Sequence, residues 1–442
     1  MTGEMMNNKT RMAEKILEKI SEKISSCGNQ YIEFLSQLVQ TDTQVIGHGV
    51  DGGKEQAGQE IVKARLSRLG LSIDEFPVED DKIRKYPGAN LGHNNEGRNN
   101  IVGVMKGIGG GRSLILNGHI DTMPFGDRQA WSKDPFSGMI EGDKLYGLGS
   151  TDMKASLSAM IMALEVIKSC DIKLKGDLIL QSVVDEEGGG NGTLACVERG
   201  YKADAAIVGE PTHLNIQPAH MGFMFHEIKV SGLSIHSSQL WNGVNAIDKA
   251  MKIYKSLQEL EHYWLMTERH PLLPPPTINL GVIEGGIAGS VVPGSCTMKT
   301  CLHYHPKSGQ SFEETRNIVN EQVQRAIMNT AQADPWLAEH PPEITVYQEG
   351  FPFETDVNHP VVEEMSNIIH SLFNKEAIIE GMPAGCDARL LSQFGSTPTI
   401  IVGCGDAKQA HTVDEYVSVS EYLKCIEVYA NFIVSWCGID SQ

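Results

Sequence analysis

The chain has 442 residues, 41% hydrophobic and 21% charged, which is ordinary globular composition with enough length for two or three domains and a sizeable core. Its 37 Lys and Arg against 56 Asp and Glu leave a formal net charge of −19, a field that repels phosphate backbones and anionic lipid and argues against nucleic-acid or membrane-surface partners. Nine scattered cysteines without a Cys-x-x-Cys pair, a Lys- and Glu-rich start, and no apolar run near the roughly 18 residues of a membrane span lead us to expect a cytoplasmic protein with reduced thiols.

In chain order, Ile16, Ile20 and Ile24, then Ile32, Leu35 and Leu38, predict an opening helix with a break near Gly28. A second amphipathic helix is predicted at 56–69, stopped by Gly70. Strand-like runs come next at 100–104, 113–117, 177–184 and 205–208, with helices at 153–169 and 193–199; this alternation predicts an α/β layer fold with a largely parallel sheet. Gly107–Gly111 lacks the Gly-Lys-Ser/Thr ending of a phosphate loop and reads as a hairpin turn. After Pro218 the character changes. Strands at 223–230, 277–282, 291–303 and 343–347, with helices at 245–261 and 312–331, describe an α+β unit of its own. A helix at 361–373, a strand at 399–402 and a helix at 419–435 restore the α/β pattern, the last with a capping box of Ser418 and Glu421. The expected layout is an α/β catalytic domain, residues 1–216 and 350–442, whose mixed, mostly parallel sheet is flanked by helices and which is interrupted by an α+β domain at 217–349.

Open α/β sheets bind ligands beyond the carboxyl ends of their strands, so the residues just past each strand are the candidates for chemistry. Gly118-His119-Ile120-Asp121 comes after the second, Asp185-Glu186-Glu187 after the third and Gly209-Glu210-Pro211 after the fourth; His411 lies in the loop after 399–402, and Asp152 stands at the start of the 153–169 helix. Singly, each has a plain structural reading: a helix cap for Asp152, a solvated turn for Asp-Glu-Glu. Together, His119, Asp152, Glu187, Glu210 and His411 form the ligand menu of zinc, cobalt or manganese, and the lack of Cys ligands argues against a closed structural zinc site. Five ligands exceed the need of one catalytic zinc, and a carboxylate bridging two ions about 3.5–4 Å apart resolves the surplus. Glu186 can then act as base on a shared water, and Asp121 can accept from the far ring nitrogen of His119 to fix its tautomer. Gly147-Leu148-Gly149 fails as a dinucleotide fingerprint because Asp152 replaces the third glycine, and no Gly-x-Ser-x-Gly elbow occurs.

Asn117-Gly118-His119-Ile120-Asp121-Thr122, Leu145–Lys154, Asp185-Glu186-Glu187, Val208-Gly209-Glu210-Pro211-Thr212 and Ala410-His411 together resemble, in order and spacing, the M20 metallopeptidase superfamily of acetylornithine deacetylase, succinyl-diaminopimelate desuccinylase, aminoacylase and glutamate carboxypeptidase types. The resemblance implies two divalent ions, zinc first with cobalt or manganese as alternatives. His119 and Glu210 would hold one ion, Glu187 and His411 the other, and Asp152 would bridge them. It implies Glu186 as general base and Asp121 as orienting residue. It also implies a homodimer formed through the inserted lid domain, with His236 of a second copy stabilising the oxyanion. Ser290 and His303 stand where many relatives carry an Asn and an Arg that hold a substrate carboxylate, and Arg389 is a candidate substrate cation or an ion-pair partner of Asp387. The expected activity is removal of an acetyl, succinyl or formyl group from an N-acylated amino acid or related small amine, as in acetylornithine deacetylase. Alternatives are a dipeptidase or carboxypeptidase, a formylaminopyrimidine deformylase, and a non-catalytic binding protein of the same fold.

Overall fold

The continuous apolar runs of the sequence become buried strands. In the computed structural model, which describes residues 3–440 with side chains from Lys15 onward, the main sheet includes, in spatial order, Ile216–His220, Thr399–Ile401, Ala205–Val208, Leu114–His119, Leu178–Val183, Asn99–Met105 and the edge strand Ser72–Pro77. The four strands from Thr399–Ile401 to Leu178–Val183 pair in parallel, and the strands on either side pair antiparallel. Every residue of the strands at 114–119, 178–183 and 205–208 is buried, as a sheet covered on both faces requires. Neighbouring residues of the 114–119 strand show the two covers: Gly118 lies against Met153 and Leu157, whereas Asn117 hydrogen-bonds Thr193 at 2.9 Å. Successive side chains point to opposite faces, so the helices Ala155–Ser169 and Asn191–Glu198 sit on opposite sides of the sheet. The result is the expected mixed α/β sheet flanked by helices.

This unit comprises the described residues up to Pro218, 355–380 and from Cys386 on; residues 219–354 with 381–385 form the second unit. The second unit is a four-stranded antiparallel sheet, ordered Thr277–Gly285, Ser295–Tyr304, Gly222–Ser231 and Glu343–Gly350. Met224, Ile228 and Val230 alternate inward on one central strand, Met298, Leu302 and Tyr304 on the other. Helix Ala246–Thr267 adds Ala250, Ile253, Leu257 and Trp264, and helix Phe312–Ala333 adds Val319, Val323, Ile327 and Ala331, both at helical spacing. Among the described residues no helix is long and apolar enough to cross a membrane.

Three local expectations are corrected. The opening helix is unbroken from Gly3 to Val39, because Gly28 sits against Leu423 of the Val419–Cys437 helix and tertiary contact outweighs its weak helix propensity. Gly107–Gly111 is not a hairpin turn: the strands it joins both pair with Leu178–Val183, on opposite edges, and its glycines let the backbone pass close to residues 175–176 and Cys437. Only half of the Ser418–Glu421 capping box forms. Ser418 Oγ accepts the Glu421 N–H at 3.1 Å, but the Glu421 carboxylate accepts the Gly405 N–H at 2.6 Å and meets His213 at 3.1 Å. A complete box occurs instead at Ser311 and Glu314.

Candidate metal centre

The parallel register brings four strand ends to one edge: His119 lies opposite Val183, Asn117 opposite Val208, and Val208 opposite Ile401. The loops beyond them, with the turn before Ala155–Ser169, gather the five metal-ligand candidates into two groups whose ligand atoms lie within 4.8 Å of one another: His119, Asp152 and Glu210, and Asp152, Glu187 and His411. Asp152 belongs to both. Its Oδ1 is 3.1 Å from His119 Nε2 and its Oδ2 is 3.4 Å from His411 Nε2. Glu210 Oε1 approaches His119 Nε2 at 3.9 Å, and Glu187 Oε1 approaches His411 Nε2 at 3.0 Å. The groups differ in access, since the His119 side chain is 1% exposed and that of His411 50%.

Local folding explains the geometry. The strand ends at His119 and Ile120 donates to the Val183 carbonyl, so Asp121 leaves the pleat and the expected contact changes. His119 Nδ1 donates to the main-chain carbonyl of Asp121 at 2.9 Å, and the carboxylate is farther, at 3.6 Å. The Asp121 carboxylate instead accepts the Glu187 N–H at 3.0 Å, which fixes the loop carrying Glu186 and Glu187. The tautomer of His119 is thus set by a backbone oxygen, leaving Nε2 toward Asp152. Asp152 is no helix cap either: its φ and ψ are −117° and 99°, and the helix begins at Ala155.

Burial dominates the electrostatics. It pushes the Asp121 carboxyl up to about 8, with Glu55, Glu187 and Asp185 adding to it against the pull of His119. Burial, then Asp387, Glu210 and Glu187, raises Glu186 well above the usual carboxylate range, and burial with Asp152 does the same to Glu210. Burial also works against ionised Asp152, but hydrogen bonds to His119 and His411 outweigh it and hold its carboxyl below the usual range. Among the described residues the salt bridges of Asp152, Glu187 and Glu210 run only to the two histidines. Crowded carboxylates with two imidazole nitrogens facing a shared carboxylate fit a pair of divalent cations. Glu186 belongs to neither group.

None of the other candidates belongs to either ligand group. In the second unit His236 caps a short exposed turn, its Nδ1 2.8 Å from Ser238 Oγ, and Ser290 is beside it, accepting the Ser237 N–H at 2.9 Å. His303 is on the Ser295–Tyr304 strand opposite Thr277 and Phe223, half-buried, and burial lowers its pKa. Arg389 is nearly buried in the larger unit, where its guanidinium donates to the carbonyls of Cys386 at 2.6 Å and Gly189 at 2.9 Å. It thereby steadies the glycine-rich end of the Glu186 loop, and its charge also acts on the neighbouring Asp387 carboxyl. Two further arrangements escaped sequence reasoning. Fully buried Arg98 pairs with Glu55 at 2.6 Å and Asp185 at 2.9 Å, and His93 and Asn191 each reach Asp185 at 2.8 Å. Glu415 accepts N–H groups of the turn that carries Asp152. A lone Arg before an apolar strand and one acid among several near His411 offer no periodic signal that would have revealed them.

Against known proteins, the profile of peptidase family M20/M25/M40 matches residues 115–435. The chain is 33% identical over 404 residues to an N-formyl-4-amino-5-aminomethyl-2-methylpyrimidine deformylase of Halalkalibacterium halodurans, covering 86% of this chain and 89% of that protein. A protein of the same description from Bacillus subtilis is 30% identical over 445 residues, covering 95% and 99%. A solved Bacillus subtilis structure, described as a dinuclear metal binding peptidase from the M20 family, superposes with a TM-score of 0.65 at 15% identity, over 93% of this chain and 99% of the other. With ligand groups suited to two ions and relatives that cleave amides, the molecule is a metal-dependent amide hydrolase, and the chain belongs to peptidase family M20/M25/M40.

Proposed function

We propose that this enzyme removes the formyl group from an N-formyl aminomethylpyrimidine or a closely similar small amine, with zinc in both groups. The hydrolytic part is carried by one observation: Asp152 turns one carboxylate oxygen toward each histidine while Glu186, in neither group, adjoins Glu187. The substrate class is supported by the two deformylase relatives, which span most of the chain, and by Ser290 and His303, which put no fixed cation where an amino-acid carboxylate would be held. This narrows the acetylornithine deacetylase-like expectation to a formyl donor. Imidazole and carboxylate donors suit zinc, with cobalt and manganese as the competing ions.

His119 with Glu210, and Glu187 with His411, sharing Asp152, would hold two divalent ions, which when bound would supply an acidified water and polarise the amide carbonyl. Glu186 would take one proton from that water as its oxygen bonds to the formyl carbon and return it to the nitrogen as the C–N bond breaks; the second water proton passes from the formic acid to the amine, so formate and the protonated amine leave. His236 of a second copy, paired through the lid unit, would donate to the oxyanion.

The test is a panel of N-formyl aminomethylpyrimidine, N-acetylornithine, N-acyl amino acids and dipeptides, assayed with zinc, cobalt and manganese. The formyl compound is expected to give the highest kcat/KM; N-acetylornithine or a dipeptide in first place overturns the reading. Mixing Glu186→Gln with His236→Ala chains tests the shared site, since hybrid dimers would regain activity that neither variant has alone.

A further inference from the structure

Glu415 lies four residues beyond His411 and is 1% exposed. Its Oε2 accepts the Gly149 N–H at 2.8 Å, and its Oε1 accepts those of Thr151 at 2.8 Å and Asp152 at 3.1 Å. The turn cannot satisfy these donors itself, because Gly149 has φ +74° and Asp152 and Met153 have non-helical dihedrals. Other bonds run the same way. Gly147 N–H donates to the Glu415 carbonyl at 2.9 Å, Thr151 Oγ1 to the Tyr416 carbonyl at 2.6 Å, and Lys144–Tyr146 pairs antiparallel with Tyr416–Ser418. Fully buried Lys154, just after this turn, donates its Nζ to the Thr41 carbonyl at 2.9 Å. The segment that carries His411 therefore grips the turn that carries Asp152. Carboxylates behind metal sites usually orient a ligand by bonding its side chain. Here the grip is on the ligand's own backbone.

We propose that Glu415 is a positioning residue: by fixing the backbone of Asp152 and the segment after His411 together, it keeps one Asp152 oxygen toward each histidine and couples the filling of the two metal groups. The inference rests on the two-ion reading of the metal centre. Its test is calorimetric titration of Zn2+ alone into the metal-stripped full chain, with the Co2+ absorption spectrum as a second readout. Wild type is expected to take two ions. Glu415→Gln keeps the size of the side chain but loses its charge and turns an amide N–H toward a backbone N–H. It is expected to weaken binding of both ions by about 10- to 100-fold while leaving the far-UV circular dichroism of the stripped protein unchanged. Thr151→Val removes the hydroxyl bond to Tyr416 without touching a carboxylate and is expected to weaken both ions by a smaller factor; it carries the test if Glu415→Gln does not fold. Wild-type affinity in every variant that folds overturns the inference. A wild-type chain that takes fewer than two ions overturns the metal-centre reading instead.

Discussion

Beneath the metal-centre loop the larger unit buries Arg98, Glu55 and Asp185 completely, whereas the smaller unit fills its interior with Met224, Ile228, Ile253, Leu257, Met298 and Ile327. A buried ion cluster returns little net stability against an apolar filling of the same volume, because desolvation consumes most of the Coulombic gain. What it does provide here is direction. Arg98 holds Asp185 at the root of the loop bearing Glu186 and Glu187, where an apolar contact would permit sliding. In the smaller unit a cluster of charges sits instead at a helix end: Asp334 caps Pro335–Glu339 and binds Lys249 and Lys252, each at 2.7 Å.

The contrast breaks most sharply at Glu186. Glu186→Gln is expected to lower kcat by about 10³-fold or more with two ions still bound; a variant retaining a tenth of wild-type activity would remove it as the base. Next, Arg98→Met strands two buried carboxylates and should cost about 3–5 kcal/mol in urea unfolding while also weakening zinc binding. Ile253→Ala is its counterpart in the smaller unit, with a loss of about 2–5 kcal/mol and unchanged zinc binding. Equal effects of the two on zinc would show that the ion cluster contributes only stability.

A smaller effect is expected from acid. Burial works against ionised Asp334, but the two lysines and the Leu337 N–H outweigh it and hold its folded pKa below the unfolded value of about 3.9. Its contribution, about 1–2 kcal/mol, is therefore present above about pH 4 and is lost as pH falls toward the folded pKa. Asp334→Asn should flatten that part of the stability curve; a curve superimposable on wild type refutes the role. The smallest change is Ser311→Ala, which opens the capping box of the Phe312–Ala333 helix for about 1 kcal/mol and should leave both kcat and zinc binding alone.

What the sequence made legible is what repeats locally. Apolar runs located the strands at 114–119, 178–183 and 205–208, and strand-end reasoning found the histidines and carboxylates that meet beyond them. The Ser72–Pro77 strand was missed because it alternates too weakly, with only Phe76 buried. The remaining misses depend on partners far along the chain. Gly28 looks like a helix stop until Leu423 packs on it, and Glu421 looks like half of a capping box until Gly405 offers a bare N–H. Asp121 reads as a partner of His119 two residues away, yet its carboxylate serves Glu187, 66 residues on. Local spacing carries no record of such choices.

The final helix of the described chain has one more consequence, for the order in which the molecule is made. The segment leading to His411 is tied to that helix twice, by Glu421 on the Gly405 N–H and by the Tyr429 hydroxyl on the Val402 carbonyl at 2.6 Å. A ribosome-bound polypeptide with residues 419–437 still inside the exit tunnel lacks both ties. Nascent chains stalled at that point are thus expected to be inert, and emergence of residues 419–437 to let the metal-binding loop form.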